Sequence, residues 1–236
     1  MKLVLALAGT MVLGGVPYVH AQATGQPLAQ TGGAQDQTQA APVPAAYRWS
    51  LEGFAQSSFG PSTSQAYGGE AAFALKQNLQ IFLEIGTVRN AATSTLGANA
   101  QAIADYLTMT QNSPVTFTAR EPVLFGKAGL KYIFYTNSEK LEPYVLLGFG
   151  IARVTKDVHF YVGGSDITSS LDQYRVILGS DLSGDETDPM LGLGGGLYWF
   201  VYKNLFIDIQ YRYDRVFSAN EGLNLNRVGA GFGVRF

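Results

Sequence analysis

The sequence predicts an all-β fold, an eight-stranded antiparallel up-and-down barrel that crosses a membrane. Eight runs of about ten residues alternate apolar and polar side chains, which is the two-residue period of β-strands. Short and long connections alternate between these runs. Charged residues make up 14% of the chain, whereas an ordinary soluble domain has roughly 25%. The net charge of −2 gives no reason to expect a nucleic-acid partner.

The clearest run is "LFIDIQYRYD", residues 205–214, which sets its apolar and charged side chains on opposite faces. A shift of one residue would exchange the two faces, so the register of such a strand is strongly specified. The other seven predicted strands lie at residues 47–56, 67–76, 79–88, 124–134, 143–154, 190–201 and 227–236.

The connections predict which end of the barrel faces outward from the cell. Short turns are predicted at residues 77–78, 135–140 and 202–204, and longer loops at 57–66, 90–123, 155–189 and 217–222. Outer-membrane barrels have short periplasmic turns and longer extracellular loops. Ala100, Ile103, Ala104 and Leu107 recur at near-helical spacing, which predicts a short surface helix in the second loop.

The charged face of the strands is predicted to line the lumen. An eight-stranded barrel has an interior just wide enough for side chains to fill, and an aromatic or leucine side chain from every strand would overfill it. The apolar face is therefore expected to contact lipid, with a soluble barrel around a ligand cavity as the alternative. The predicted lumen charges are Arg48, Glu52, Glu70, Glu84, Lys127, Lys131, Asp208, Arg212 and Arg227.

Aromatic residues on the apolar face are expected at the two membrane–water interfaces, where barrels carry aromatic girdles. The predicted interface residues are Tyr47, Trp49, Tyr132, Trp199, Tyr211, Tyr213 and Phe236. The last strand ends on Phe236, and pairing of that strand with the first would leave no unpaired edge in lipid.

The N-terminal region predicts export. Residues 1–23 combine Lys2, an apolar stretch and small residues at Ala21 and Ala23, as in a cleaved secretory signal. The apolar stretch is shorter than the roughly 20 residues of a spanning helix, which disfavours a membrane anchor. Residues 24–46 are rich in Gln, Ala, Gly and Pro and are expected to form a disordered periplasmic linker. Residues 47–236 form the barrel domain.

Three segments resemble the small OmpA-type outer-membrane β-barrel family of Gram-negative bacteria: "EPYVLLGFGIARV" (residues 142–154), "MLGLGGGLYWFVYKNLFIDIQYRYDRV" (190–216) and "VGAGFGVRF" (228–236). The resemblance covers residues 47–236 and implies residence in the cell outer membrane, among lipid and lipopolysaccharide. It also implies that Phe232, Val234 and Phe236 form the C-terminal signal for the barrel-assembly machinery. Because the chain ends at Phe236, we expect no peptidoglycan-binding domain such as the longest members carry.

The lumen charges admit two functions. They could form a plug of salt bridges that fills the barrel, or a selectivity network in a narrow pore for small solutes or ions. The plug is favoured because eight strands leave little room. The expected function is therefore non-enzymatic and structural, with the long loops available for an unknown extracellular ligand. The protein is expected to be a monomer.

Three other patterns indicate chemistry only weakly. His159 is the one histidine left after signal removal, and we expect it in a flexible loop, so a lipid-modifying serine–histidine–acid enzyme is a remote alternative. The acidic stretch 180–188 could hold Ca²⁺ but lacks the spacing of an EF-hand. "GLGGG" (192–196) lies within a predicted strand, where a phosphate loop does not fit. Without cysteine no thiolate metal site forms, and no cofactor, metal or catalytic residue is expected.

Overall fold

The computed structural model describes residues 48–60, 62–138, 140–218 and 222–236. The predicted signal (1–23), the predicted linker (24–46) and Tyr47 lie outside the described residues. Everything described below belongs to the unit formed by residues 41–236.

The described chain contains ten strands and two helices. The strands are β1 (Trp49–Phe59), β2 (Ser64–Lys76), β3 (Leu79–Val88), β4 (Val115–Arg120), β5 (Val123–Ile133), β6 (Leu141–Val162), β7 (Ser165–Asp166), β8 (Gly184–Tyr202), β9 (Leu205–Val216) and β10 (Leu223–Arg235). Helix α1 spans Ser94–Gln111, and a 3₁₀ helix spans Thr168–Tyr174.

Eight strands close into an antiparallel ring, which confirms the predicted fold. Each ring strand pairs with its neighbours in the order β1–β2–β3–β5–β6–β8–β9–β10, and β10 pairs with β1. At the seam, Trp49 N donates to Phe236 O at 3.0 Å and Phe236 N donates to Trp49 O at 2.9 Å. The ladder is therefore complete to the last residue, as a barrel in lipid requires.

Alternating faces of the ring are buried and exposed, and the apolar face is the exposed one. On β6, for example, Phe149 is 66% and Ile151 is 61% exposed. Leu51 on β1, Ile85 on β3, Leu124 on β5 and Phe232 on β10 are likewise exposed. A continuous apolar belt of this kind is rare on soluble monomers and fits the hydrocarbon face of a membrane barrel.

The ring strands extend beyond their predicted ends on the long-loop side. The first loop connects β1 and β2 as predicted, but its predicted bounds, 57–66, are too wide, because β1 continues to Phe59 and β2 begins at Ser64. β6 and β8 remain paired as far as Lys156 and Gly184, so much of the predicted loop 155–189 is strand. The backbone there gains ladder hydrogen bonds that the weak apolar pattern of the segment does not reveal.

The second and third loops fold together above the barrel into an extracellular cap. Strand β4 pairs with the extension of β6, and β7 pairs with the end of β6. Helix α1 starts after Thr93, whose side chain accepts a hydrogen bond from Leu96 N at 3.2 Å, and it is longer than the predicted helix. In the part of the chain described here, no helix has both the length and the apolarity needed to span a bilayer.

Candidate functional site: the lumen and the extracellular cap

The lumen is filled in three layers. At the short-turn end lies an aromatic floor of Phe82, Ile133, Tyr144, Leu146, Tyr198 and Phe206. At the long-loop end lies an apolar roof that includes Phe54, Val88, Phe125, Val154, Met190 and Leu225. The charged layer lies between them, and each of its acidic and basic side chains is at most 6% exposed.

The upper half of the charged layer is a compact cluster of two cations and two carboxylates. Arg227 Nη2 lies 2.6 Å from Asp214 Oδ2 and 2.9 Å from Glu84 Oε1. Lys127 Nζ lies 2.6 Å from Asp214 Oδ1 and 3.2 Å from Glu84 Oε2. The Arg227 guanidinium also lies 4.4 Å from the centre of the Phe125 ring. The roof therefore rests directly on this cluster.

The lower half contains more acid than base. Lys131 pairs with Glu70 and donates to the Tyr198 hydroxyl. Arg212 Nη2 lies 3.5 Å from Glu70 Oε2 and donates to the Tyr144 hydroxyl at 3.0 Å. The Tyr144 hydroxyl in turn donates to Asp208 at 2.5 Å. Hydrogen bonds of the tyrosine hydroxyls thus tie the charged layer to the aromatic floor.

Glu52 is the carboxyl group of this layer that makes no ion pair among the described residues. Its Oε1 accepts a hydrogen bond from Gln210 Nε2 at 2.9 Å, and its Oε2 has no hydrogen-bond partner there. Glu52, Glu70 and Glu84 are direct neighbours across β1, β2 and β3, and like charges opposite one another are unfavourable. Lys127 and Lys131 of β5, Arg212 of β9 and Arg227 of β10 form ion pairs with Glu70 and Glu84. The repulsion among the three carboxylates is therefore offset at Glu70 and Glu84 but not at Glu52.

Arg48 does not belong to the charged layer, and its assignment to the lumen is wrong. It lies exposed immediately before β1, at the short-turn rim of the barrel. The strand period gives the face of a residue but not its depth along the barrel. Arg48 stands at the first rung, where its carbonyl accepts from Ala74 N at 2.8 Å, and its side chain reaches solvent there. The other eight predicted lumen charges are all buried inside the barrel.

The lumen also contains aromatic side chains that sequence reasoning placed outside or did not identify. Phe82, Phe125 and Tyr144 point inward, although aromatic residues were expected to overfill the barrel. Inward glycines provide the space: a Cβ atom on Gly148 would lie 2.9 Å from Phe82 Cζ, and one on Gly86 would lie 2.6 Å from Phe125 Cζ. Glycines at inward positions of the strands are the sequence feature that could indicate inward aromatic side chains on the adjacent strand. Asp214, Gln56 and Gln210 are also buried in the lumen, and none of the three belongs to the predicted lumen charges.

The predicted interface aromatics lie on the lipid-facing surface. Trp49, Tyr132, Trp199, Tyr211 and Phe236 are exposed, and Tyr213 is partly exposed. Trp49 packs against Phe73 with ring centres 4.8 Å apart, and Tyr132 packs edge-on against Phe134 at 5.1 Å. Phe232 and Val234 face the same side of β10 as Phe236.

The extracellular cap has a hydrophobic core of its own. Leu96, Ala100, Ala104 and Leu107 of α1 pack with Val158 and Phe160 of β6, and Leu171 and Leu182 complete the cluster. Phe117 of β4 packs on the outside of this core. A core of this size gives the cap a defined shape, so the loops present ordered surfaces.

A cleft of about 340 Å³ lies between the cap and the roof of the barrel. Leu96 of α1 and Val154, Val216 and Leu223 of the barrel form its apolar lining. At its rim Ser218 donates to Glu186 at 2.9 Å, and Lys156 lies 3.4 Å from the same side chain. The hydrogen bond from Ser218 joins the third and fourth loops.

His159 lies in strand β6, so its predicted place in a flexible loop is wrong. Its Nδ1 lies 2.9 Å from Asp166 Oδ2 and its Nε2 lies 2.9 Å from Asp157 Oδ1. An imidazole can donate from both nitrogens only when it is protonated. In a hydrolytic triad Nε2 would face the nucleophilic hydroxyl, but here it faces a carboxylate.

The acidic stretch 180–188 is engaged in protein contacts. Asp181 accepts from Asn99 at 3.2 Å, and Asp185 accepts from Thr155 and from Arg153, each at 2.5 Å. Among the described residues no group of three or more acidic or histidine side chains is arranged to hold a metal ion. "GLGGG" lies within β8, where Gly192, Gly194 and Gly196 make room for Lys127, Arg212 and Tyr144.

We expect Asp185 to make the stability of the cap dependent on acid pH. The hydrogen bond from Thr155, followed by that from Arg153, lowers the pKa of Asp185 below its usual value of 3.8. Because the folded pKa is the lower one, the stabilisation is complete above pH 3.8 and disappears as the pH falls through the folded pKa. Thermal unfolding of Asp185→Asn should differ from that of the wild type at about pH 6, and the difference should shrink in acid. Asp172→Asn, an exposed acid of the 3₁₀ helix, is the control, and an equal effect there would contradict the assignment.

Comparison with known protein families and with characterised proteins finds no match to this sequence. Solved structures do match. Neisserial surface protein A is 17% identical with a TM-score of 0.53, covering 80% of this chain and 97% of its own. A major outer-membrane protein of Thermus thermophilus is 10% identical with a TM-score of 0.53, covering 80% and 99%. The attachment invasion locus protein of Yersinia pestis, in complex with a heparin analogue, is 13% identical with a TM-score of 0.46, covering 80% and 99%.

These structures are outer-membrane β-barrels, and at such low identities the likeness concerns the fold alone. For the two structures with a TM-score of 0.53, this fold agrees with the closed ring described above. The chain therefore has the eight-stranded outer-membrane β-barrel fold of the type seen in Neisserial surface protein A.

Proposed function

We propose that this chain is a non-enzymatic integral protein of the outer membrane, with a sealed lumen and an ordered extracellular cap that contacts partners at the cell surface. The burial of the charged layer carries the proposal. Lys131, Asp208, Asp214 and Arg227 have no measurable exposure to solvent, so no water-filled path passes these side chains. The lumen acts as a structural plug, and the cap is the part of the molecule that is both folded and accessible.

The plug is also stabilised at its short-turn end, by contacts within and below the aromatic floor. Tyr144 stacks on Tyr198 with ring centres 4.6 Å apart, and Tyr198 meets Phe206 edge-on at 4.7 Å. Below them the Arg235 guanidinium lies 4.4 Å from the centre of the Phe200 ring and 2.7 Å from Glu142. A permeating ion would have to displace this floor, the charged layer and the roof.

The geometry around His159 supports the non-enzymatic part of the proposal. Its two nitrogens already face Asp157 and Asp166, which leaves no ring nitrogen to activate a hydroxyl nucleophile. An enzyme acting on outer-membrane lipid through this residue would lose its turnover in His159→Ala. We expect lipid composition to remain the same in cells that express either form.

The sealed lumen predicts a silent planar bilayer. The mature chain should be refolded, checked by its heat-dependent gel mobility, and inserted under voltage. We expect no stable conductance from the wild type. A small steady conductance that changes in Glu52→Gln or Arg212→Gln, but not in the exposed Arg153→Gln, would instead establish the narrow-pore alternative.

A further inference from the structure

The outward face of the barrel changes abruptly from apolar to basic on its extracellular side. Along β3, β6 and β9, the outward residues beyond the apolar belt lead to Arg89, Arg153 and Arg215. From Leu124 of β5 toward the extracellular side, which is toward β4, the next outward residues are Pro122 and Arg120. On β8 the corresponding charge is Asp185, and β1, β2 and β10 carry none. The charged residues that lie first beyond the apolar belt on the extracellular side are thus four arginines and one aspartate.

Two of these arginines are neighbours and have no acidic partner among the described residues. Arg89 donates from Nη1 to the neutral amide oxygen of Gln65 at 3.1 Å, and neither Arg89 nor Arg120 makes an ion pair in the described part of the chain. Asp157 faces Arg120 in the strand register, but its Oδ1 lies 2.9 Å from His159 Nε2. Arg89 directly follows β3, and Arg120 ends β4. Val88 pairs with Val123, and Ala91 N donates to Glu121 O at 2.8 Å, so Arg89 lies beside Pro122, two residues from Arg120.

The other two arginines differ from this pair. Arg153 is neutralised by Asp185, with Nη2 to Oδ2 at 2.5 Å. Arg215 donates to the amide oxygen of Asn224 at 2.8 Å and lies on β9, on the other side of the ring. Arg89, Arg120 and Arg215 therefore make no ion pair among the described residues, and of these three Arg89 and Arg120 lie close together on the same side of the ring.

The position of the pair identifies what covers it. Arg89 follows Ile81, Leu83 and Ile85 on one face of β3, and these side chains require the acyl chains of the membrane. The next layer above the acyl chains is the lipid headgroup layer. A guanidinium presents a planar set of donors that matches phosphate oxygens in pairs, and the neighbouring side chains of Gln65, Tyr67 and Thr118 add neutral hydrogen-bonding groups.

We propose that Arg89 and Arg120 form a binding site for a phosphate-bearing lipid headgroup of the outer leaflet. The site is built on the ends of paired strands, so its two cations are held on the rigid rim of the barrel. It orients and anchors the barrel in the outer leaflet beneath the cap. This inference depends on the proposed outer-membrane location but not on whether the lumen is sealed.

The test compares two lipids that differ in phosphate. The refolded chain is placed in phosphatidylcholine nanodiscs with a small fraction of either diphosphoryl or monophosphoryl lipid A, and lipid binding is followed by titration and by thermal unfolding. The double variant Arg89→Gln/Arg120→Gln is compared with Lys140→Gln/Lys203→Gln, which removes two exposed cations at the short-turn end. About 1 kcal/mol per cation near an anionic surface corresponds to roughly fivefold in affinity for each arginine.

We expect the arginine double variant to bind diphosphoryl lipid A about 25-fold more weakly than the wild type, and to lose most of the preference for it over the monophosphoryl form. The lysine double variant should retain both the affinity for diphosphoryl lipid A and the preference for it over the monophosphoryl form. If both double variants lose the same affinity for diphosphoryl lipid A, the effect is general electrostatics and the proposed site is wrong. The proposed site is also wrong if the arginine double variant binds as tightly as the wild type. If the double variant does not fold, Arg120→Gln alone, expected to lose about fivefold, decides in the same way. Bilayer conductance of the same variants separates this result from the sealed lumen.

Discussion

Arg227→Met is expected to destabilise the barrel by about 3–5 kcal/mol, because removal of one partner leaves buried charge uncompensated. Arg227 is fully buried and contacts Glu84 and Asp214 at 2.9 Å and 2.6 Å. Lys127 would remain as the cation that contacts both carboxylates, and Arg212 Nε, 3.6 Å from Glu84 Oε2, would reach Glu84 alone. The variant also loses the hydrogen bond from Arg227 Nη1 to Gln56 Oε1 at 2.8 Å.

Urea unfolding in lipid vesicles, followed by the fluorescence of Trp49 and Trp199, measures this change. Arg153→Met is the matched control, because its ion pair with Asp185 is 58% and 43% exposed and exposed pairs contribute about 0–1 kcal/mol. Arg227→Met/Glu84→Gln should recover part of the loss, since one unpaired charge is removed with its partner. Similar values for Arg227→Met and Arg153→Met would contradict the central role of the buried cluster.

Gly129→Ala is expected to prevent normal folding or to cost at least about 1–3 kcal/mol, the usual range for overpacking. Gly129 lies on β5, and a Cβ atom there would collide with the backbone of Leu147 and with Gly148 Cα at 2.5 Å. A backbone cannot move aside as a flexible side chain can, so β5 and β6 would have to separate. Their ladder runs along the whole of β5, and separation would break hydrogen bonds in lipid.

Gly126→Ala on the same strand is the control. A Cβ atom at Gly126 would meet nothing within 4 Å, so its stability should match that of the wild type. Heat-dependent gel mobility gives the folded fraction, and urea unfolding gives the free energy for whatever folds. A fully folded Gly129→Ala with unchanged stability would show that β5 and β6 are less closely packed than described.

Much of the barrel could be predicted from sequence because the strand period is a local property. β3 was predicted at residues 79–88 and is found as Leu79–Val88, since each of its residues alternates cleanly between lipid and lumen. Glu52, Lys127 and Arg227 were placed inside by the same alternation. The same alternation misplaces Arg48 because it gives the face of a residue and not its depth, and Arg48 lies exposed at the rim.

The interior packing and the cap could not be predicted in this way. Phe82 and Phe125 fit inside only because Gly148 and Gly86 lie beside them across strand pairs, and such pairs depend on register between distant segments. Likewise, α1 becomes a long helix because Leu96 and Leu107 bury against Val158 and Phe160 of β6. His159 was assigned to a loop because the strand that holds it has no apolar pattern of its own.

The order of residues along each strand predicts two opposite faces, one apolar and one charged. The apolar face is predicted to contact lipid because an eight-stranded barrel has too little interior room for it. Three-dimensional packing was needed to establish which charges meet, that Glu52 makes no ion pair among the described residues, and that Arg89 and Arg120 stand together at the outer rim. Those relations join strands that lie far apart in the chain. They follow from the register of the closed ring, which no single strand encodes.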